Sequence, residues 1–314
     1  LVLDSVGQKM SKRLGNTVNP FDVIKEHGAD SLRWYMITNS QPWDNLKFDI
    51  SGVVEVKQKL FSTLHNIYSF FSLYANIDRF KYVEPALVVK DRPLLDQWIL
   101  SELNTLIKVV ERGYVNYEPT LVGRAIQEFV VDKLSNWYVR LCRRRFWKGD
   151  YDVNKVSAYQ TLYDCLVTVS KLASPIAPFF MERLFLDLNQ VSKKDLVDSV
   201  HLSTFPVVDG GVINEGLEFN MALTRDICSL ALSIRKKENI RVRQPLESIV
   251  VCLNDSTLEQ GVVVDLIKSE INVKSVLFSA ESDGLVKKCL VPNFSVLGKK
   301  YGSLMREIAS GVKL

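Results

Sequence analysis

The stretch GQKMSKRLGN, residues 7–16, gathers Lys9, Lys12 and Arg13 around Ser11 between two glycines. Glycines let a backbone come close to a ligand, lysines carry mobile point charges, and Ser11 offers a hydroxyl and an amide. That set of groups suits a triphosphate. The pattern is neither GxxxxGK[ST] nor GxGxxG, so it belongs to neither of those phosphate loops. An exposed basic turn has the same composition, and at this level both readings stand.

A second constellation lies in DKLSNWYVRLCRRRFWKGD, residues 132–150. On a uniform α-helix, Lys133, Trp137, Arg140, Arg144 and Lys148 share one stripe, and Val130, Leu134, Tyr138 and Leu141 form the stripe beside it. A helix apolar on one face and basic on the next can fork guanidinium groups onto phosphates and pack an aromatic on a sugar or base. The alternative is a solvated face with salt-bridge partners and a core tryptophan. Further on, SIRKKENIRVRQPL brings together Arg235, Lys236, Lys237, Arg241 and Arg243. Two separate basic clusters point to an extended anionic partner, and RNA fits better than a small ligand. A charged helix end beside an arginine-protected edge strand is the competing account.

The elements that must position these groups are mainly helical. At 314 residues the chain has room for about two domains. With 47% hydrophobic and 24% charged residues and a net charge of +4, it reads as an ordinary globular chain whose charge matters only where it clusters. No run reaches the roughly 18 residues of a membrane span, and no signal sequence opens the chain, which favours a cytoplasmic setting. Cys142, Cys165, Cys228, Cys252 and Cys289 are scattered without a CxxC pair, so they read as buried thiols, with no disulfide framework and no metal site expected.

Asn19 can cap and Pro20 open a first helix, which Gly28 breaks before a second. The strand LVLDS at Leu1 is expected to be a cut edge that has lost its partners. Val53, Leu60, Leu64, Ile67, Phe71 and Tyr74 mark one long helix; a second opens after Pro93; a third runs from about Thr120 to Trp147. Val156, Tyr159, Tyr163, Leu166 and Val169 form one face of a fourth, ended by Pro175 and Pro178. These make a helix bundle with short connections. After a helix from about Leu217 to Glu238, the runs LESIVVCL, KSVLFSA and VKKCLVP read as strands among helices. The fold class expected is thus mainly α, a helix bundle followed by a small α+β domain. The boundaries expected are 1–50 for the loop and its following helices, 51–208 for the bundle, and 209–314 for the junction helix and α+β domain.

Lys9-Met10-Ser11-Lys12-Arg13 resembles the KMSKS signature of the class I aminoacyl-tRNA synthetases, in a KMSKR form. NPFDVIKEHGADSLRWYM resembles the helix pair that follows this loop in the isoleucyl, valyl and leucyl branch. QPWDNLKFD, LSNWYVRLCRRRFWKGDYD, AYQTLYDCLVTVSKLASPIAPF and IRVRQPL are most similar to its isoleucyl members. The resemblance spans nearly the whole chain and is weakest over residues 256–314. It implies ligase chemistry: an amino acid is activated with ATP and Mg2+ to an adenylate and transferred to tRNA(Ile). Lys9 and Lys12 would stabilise phosphate charge on a mobile loop, Ser11 would support them, and Met10 and Arg13 would complete the ATP-binding stretch. The segment to Asp49 would contact the tRNA stem. The bundle would be the anticodon-binding domain, with Arg140, Arg143, Arg144 and Arg145 added to Lys133, Trp137, Lys148 and the second cluster as tRNA contacts.

The HxGH companion signature does not occur, for the histidines are His27, His65 and His201. The chain is therefore expected to be the C-terminal portion of a larger, monomeric synthetase, binding tRNA but catalytically inactive alone, without cofactor, metal or editing domain. A valyl or leucyl synthetase, a free-standing RNA-binding module and a protein-docking scaffold are the other readings.

Overall fold

In the computed structural model the residues described are 1–253, 260–279 and 293–311. They divide into two units, 1–218 and 219–314. The first opens with strand β1 (Val2–Leu3), then α1 (Pro20–His27), α2 (Ala29–Asn39) and strand β2 (Leu46–Lys47). β1 and β2 pair in parallel, Val2 with Leu46 and Leu3 with Lys47. The expectation that LVLDS had lost its partners is therefore corrected: its partner lies in the same chain, brought back by α1 and α2.

Local chemistry sets these boundaries. The Asn19 side chain accepts from the Phe21 amide at 3.1 Å, with Pro20 in the first turn, where a missing N–H costs nothing. Gly28, at φ +86°, closes α1 and starts α2 in a conformation that side chains disfavour.

The bundle starts at α3 (Ile50–Val56), which Asp49 caps by accepting from the Ser51 amide at 2.9 Å. α3 runs without a break through a wide π-helical turn, Lys57–Phe61, into α4 (Ser62–Asp78). Val53, Leu60, Leu64, Ile67 and Phe71 are buried along it, as the spacing predicts. α5 (Leu94–Val115) follows Pro93. The third long helix consists of α6 (Pro119–Glu128), an 11-residue π-helical stretch (Phe129–Val139) and α7 (Arg140–Trp147).

α8 (Val153–Ala173) differs from its expected one-sided pattern: it is buried nearly all round, because α4, α5, α7 and α9 (Pro178–Ser192) pack around it. Its polar residues are accordingly satisfied inside. Ser157 donates to Asp96, and Thr161 accepts from Arg92 at 2.8 Å.

Two glycines let α2 dock against the bundle. A Cβ on Gly52 would lie 2.3 Å from the Tyr35 ring, and one on Gly123 would lie 2.5 Å from Thr38 Cγ2. Around that contact Trp34 is fully buried and donates to Gln127 at 3.2 Å, Arg33 donates to the Ile176 carbonyl at 2.9 Å, and Arg124 to the Thr38 carbonyl at 2.9 Å. The first 49 residues thus share a core with the bundle.

α10 (Glu215–Lys237) leads into the second unit, where strand β3 (Leu246–Cys252), α11 (Gln260–Ile271) and strand β4 (Val273–Ser279) form a parallel crossover pair. α12 (Phe294–Tyr301) and α13 (Met305–Gly311) follow. The expected strand VKKCLVP, with Cys289, lies outside the described residues. Cys142, Cys165 and Cys228 are buried and Cys252 is half-buried; burial pushes the Cys142 thiol up to about 12.

Candidate nucleic-acid interface and signature loop

Residues 4–16 form a self-supporting loop. The Asp4 amide donates to the Gln8 carbonyl at 2.8 Å, Gly7 turns at φ +91°, and Leu3 bridges to Lys9. Asn16 is the central tie. Its Oδ1 accepts from the Ser11 amide at 2.9 Å, and its Nδ2 donates to Asp4 Oδ2 at 2.9 Å and to the Lys9 carbonyl at 3.4 Å. The Asn16 bond, with backbone amides, holds the Asp4 carboxyl below its usual range. Ser11 caps a short turn, its Oγ accepting from the Leu14 amide at 3.3 Å, and Gly15 closes the turn at φ +65°. The Ser11 amide and one of its lone pairs are therefore spent within the loop. The expectation that this amide faces a ligand is corrected; the O–H remains. Lys9, Lys12 and Arg13 all point to solvent, and Met10 is half-buried. The loop is a preformed scaffold presenting two ammonium groups and a guanidinium, which fits a polyphosphate.

The basic face of the third helix is displaced from the stripe that uniform α-geometry gives. Every fourth residue, Val130, Leu134, Tyr138, Cys142 and Phe146, is buried. At 3.6 residues per turn such a row drifts by about 40° per step; the wide turns of 129–139 take up that drift and keep the row on the core. Lys133 is consequently turned inward, bonded to Glu102 at 2.7 Å. Arg145 is likewise committed inside. It forks onto Asp96 at 2.6 and 2.8 Å and donates to the Asn154 carbonyl at 2.8 Å. The Asp96 carboxylate, fully buried, also accepts from Tyr138 and Ser157. These two tRNA-contact expectations are corrected: both cations balance buried carboxylates.

What remains on the surface is compact. Arg140, Arg143, Arg144 and Lys148 are exposed, and Trp137 is half-buried with the Arg140 guanidinium 5.8 Å from its ring centroid. Arg143 lies 5.9 Å over the Phe70 ring. Trp147, 57% exposed, is the residue that sequence reasoning missed. It falls three and seven positions after Arg144 and Arg140, on the same α-helical face, and that spacing was the available signal.

In the second unit, Arg235 is 4% exposed, and its guanidinium donates to the carbonyls of Arg241, Gln244, Ile271 and Asn272 at 2.7–3.1 Å. Its expected tRNA contact is corrected: it ties the end of α10 to the loops flanking β3 and β4. Lys236, Lys237, Arg241 and Arg243 are exposed.

Residues 1–49 match the family model "tRNA synthetases class I (I, L, M and V)", and residues 96–251 match "Anticodon-binding domain of tRNA ligase". The chain belongs to the class I tRNA synthetases of that group. Within the group it is similar over 99% of its length to isoleucine–tRNA ligases: 54% identical to that of Cytophaga hutchinsonii and 52% to that of Bacteroides fragilis. It spans about 28% of the length of these relatives. Two solved structures share the fold at 20% identity. A ternary complex of LeuRS of Agrobacterium radiobacter K84 with tRNA and LeuAMS has a TM-score of 0.51, covering 68% of this chain and 24% of that one. Methionyl-tRNA synthetase of Mycobacterium tuberculosis with methionyl-adenylate has 0.50, covering 63% and 40%.

Proposed function

We propose that this chain supplies the signature loop and the anticodon-binding surface of an isoleucine–tRNA ligase, a cytoplasmic enzyme that activates isoleucine with ATP and Mg2+ and passes it to tRNA(Ile). The similarity to isoleucine–tRNA ligases along the whole chain supports the choice of amino acid. In this reading Lys9 and Lys12 neutralise charge developing on the phosphates as pyrophosphate leaves, and Arg13 extends that field. Ser11 holds the turn and keeps its O–H available. Asn16, itself tied to Asp4, bonds Ser11 and Lys9 directly, so the loop presents its cations on a preformed turn.

The observation that carries the tRNA reading is the exposed set Arg140, Arg143, Arg144 and Lys148 beside two aromatics, on an element within the matched anticodon-binding domain. Lys236, Lys237, Arg241 and Arg243 add phosphate contacts from the second unit. Titration of the chain with a tRNA(Ile) transcript at several salt concentrations tests this. Affinity should fall steeply with salt, and Arg144→Ala should reduce the slope by about one. A salt-independent affinity would sink the proposal and leave a docking scaffold as the better reading.

A further inference from the structure

Strand pairing at the foot of the signature loop brings a further cation beside it. Leu3 is the middle member of a row of three. It pairs in parallel with Lys47 of β2, and on its other side it bridges antiparallel to Lys9. Residues directly across a ladder project to the same face, because the pleats of paired strands stay in phase. Lys9 and Lys47 therefore stand on one face, one on each flank of Leu3. Neighbouring strands lie about 4.8 Å apart, so these two backbones are separated by roughly 10 Å, a gap that two four-carbon stems can close onto one polyphosphate.

The Lys47 side chain crosses toward the loop. A Cβ on Gly7 would lie 3.1 Å from Lys47 Cε and 3.5 Å from its Nζ. The lysine stem thus runs through the space that the bare glycine leaves, and it carries its ammonium to the edge of the signature stretch, two positions before Lys9. The backbone of Lys47 is fixed from behind. Its carbonyl accepts from the Tyr35 hydroxyl at 2.9 Å and from Asn39 Nδ2 at 3.0 Å, and the Phe48 amide after it donates to the Leu3 carbonyl at 2.9 Å.

Lys47 is exposed, and among the described residues no carboxylate lies within ion-pair distance of it. The acids closest to it along the two strands are committed elsewhere. Asp4 accepts from the Gln8 amide and from Asn16, and Asp49 accepts from the Ser51 amide. Two ammonium groups on one face, on positioned backbone and without acids to balance them, make a local positive field that suits a multiply charged anion. We infer that Lys47 is a phosphate-binding residue of the signature site, joining Lys9 and Lys12 in holding the triphosphate of ATP and the pyrophosphate that leaves. The inference rests on the ATP reading of the loop given above and adds to that site a residue from outside the signature, supplied by β2.

The test uses the full-length ligase as wild type, Lys47→Met, Lys47→Arg and Lys9→Met, assayed by isoleucine-dependent pyrophosphate exchange. Methionine keeps an unbranched stem over Gly7 and removes only the charge. Lys47→Met should raise the KM for ATP and the inhibition constant of pyrophosphate about tenfold, as loss of one charge-assisted contact predicts, and Lys47→Arg should restore both. The KM for isoleucine and the rate of transfer from preformed isoleucyl-adenylate to tRNA(Ile) should stay at wild-type values, which shows that the variant is folded. Wild-type constants in Lys47→Met beside a defective Lys9→Met would mean that the stem merely covers Gly7, and would overturn the inference alone. Equal losses in Lys47→Met and Lys47→Arg would assign the effect to packing and overturn it as well. A raised KM for tRNA(Ile) with ATP constants unchanged would give Lys47 to the RNA instead. Wild-type constants in Lys9→Met would overturn the ATP reading of the loop and the inference with it.

Discussion

At the scale of single residues, the structure separates charges that face solvent from charges that hold the fold, and composition does not. Lys9 and Lys12 face outward because Asn16 and Asp4 do the structural work of their loop. Asn16→Ala removes the bond that depresses the Asp4 pKa. In the native loop the depressed pKa favours the ordered state above the unfolded carboxylate pKa and loses that contribution as pH falls through the folded value. An NMR titration should find the Asp4 carboxyl shifted up toward its ordinary value in Asn16→Ala. An unshifted titration would mean that Asn16 does not tether the loop. The loop's chemistry was legible because every group sits within ten residues; the tie to Asp4 was not, since it spans 12 positions.

At the scale of elements, the caps and breaks at Asn19, Pro20, Gly28, Pro93 and Pro178 act locally and could be read from sequence. The third long helix could be placed but its faces could not, because wide turns over 129–139 change the angle per residue without a sequence mark. That change, together with Asp96 lying 49 positions away, is why Arg145 looked like a surface arginine. Arg145→Ala leaves a fully buried carboxylate without its cation, which costs about 3–5 kcal/mol. Urea denaturation should show that loss, while the salt slope of tRNA binding by the folded variant stays at the wild-type value. A reduced slope with unchanged stability would return Arg145 to the RNA surface. The burial of Arg235 was hidden for the same reason, since its acceptors are backbone carbonyls up to 37 positions away.

At the scale of the whole molecule, the first 49 residues and the bundle form one unit, tied through α2 by Trp34, Arg33, Gly52 and Gly123. A loop suited to phosphate chemistry and the basic face of the third long helix thus share one core. Helix periodicity made the bundle legible. The return of β2 onto β1 was not, because it depends on a pairing 44 residues apart that two-residue strands do not announce. The measurement that bears most directly on the account is the affinity of this chain for a tRNA(Ile) transcript against the same transcript with its anticodon replaced, at two salt concentrations. The account predicts salt-dependent binding that weakens roughly tenfold or more on replacement, about 1.4 kcal/mol or more. Equal affinity for both transcripts would contradict anticodon readout and reduce the basic face to a grip on the backbone alone.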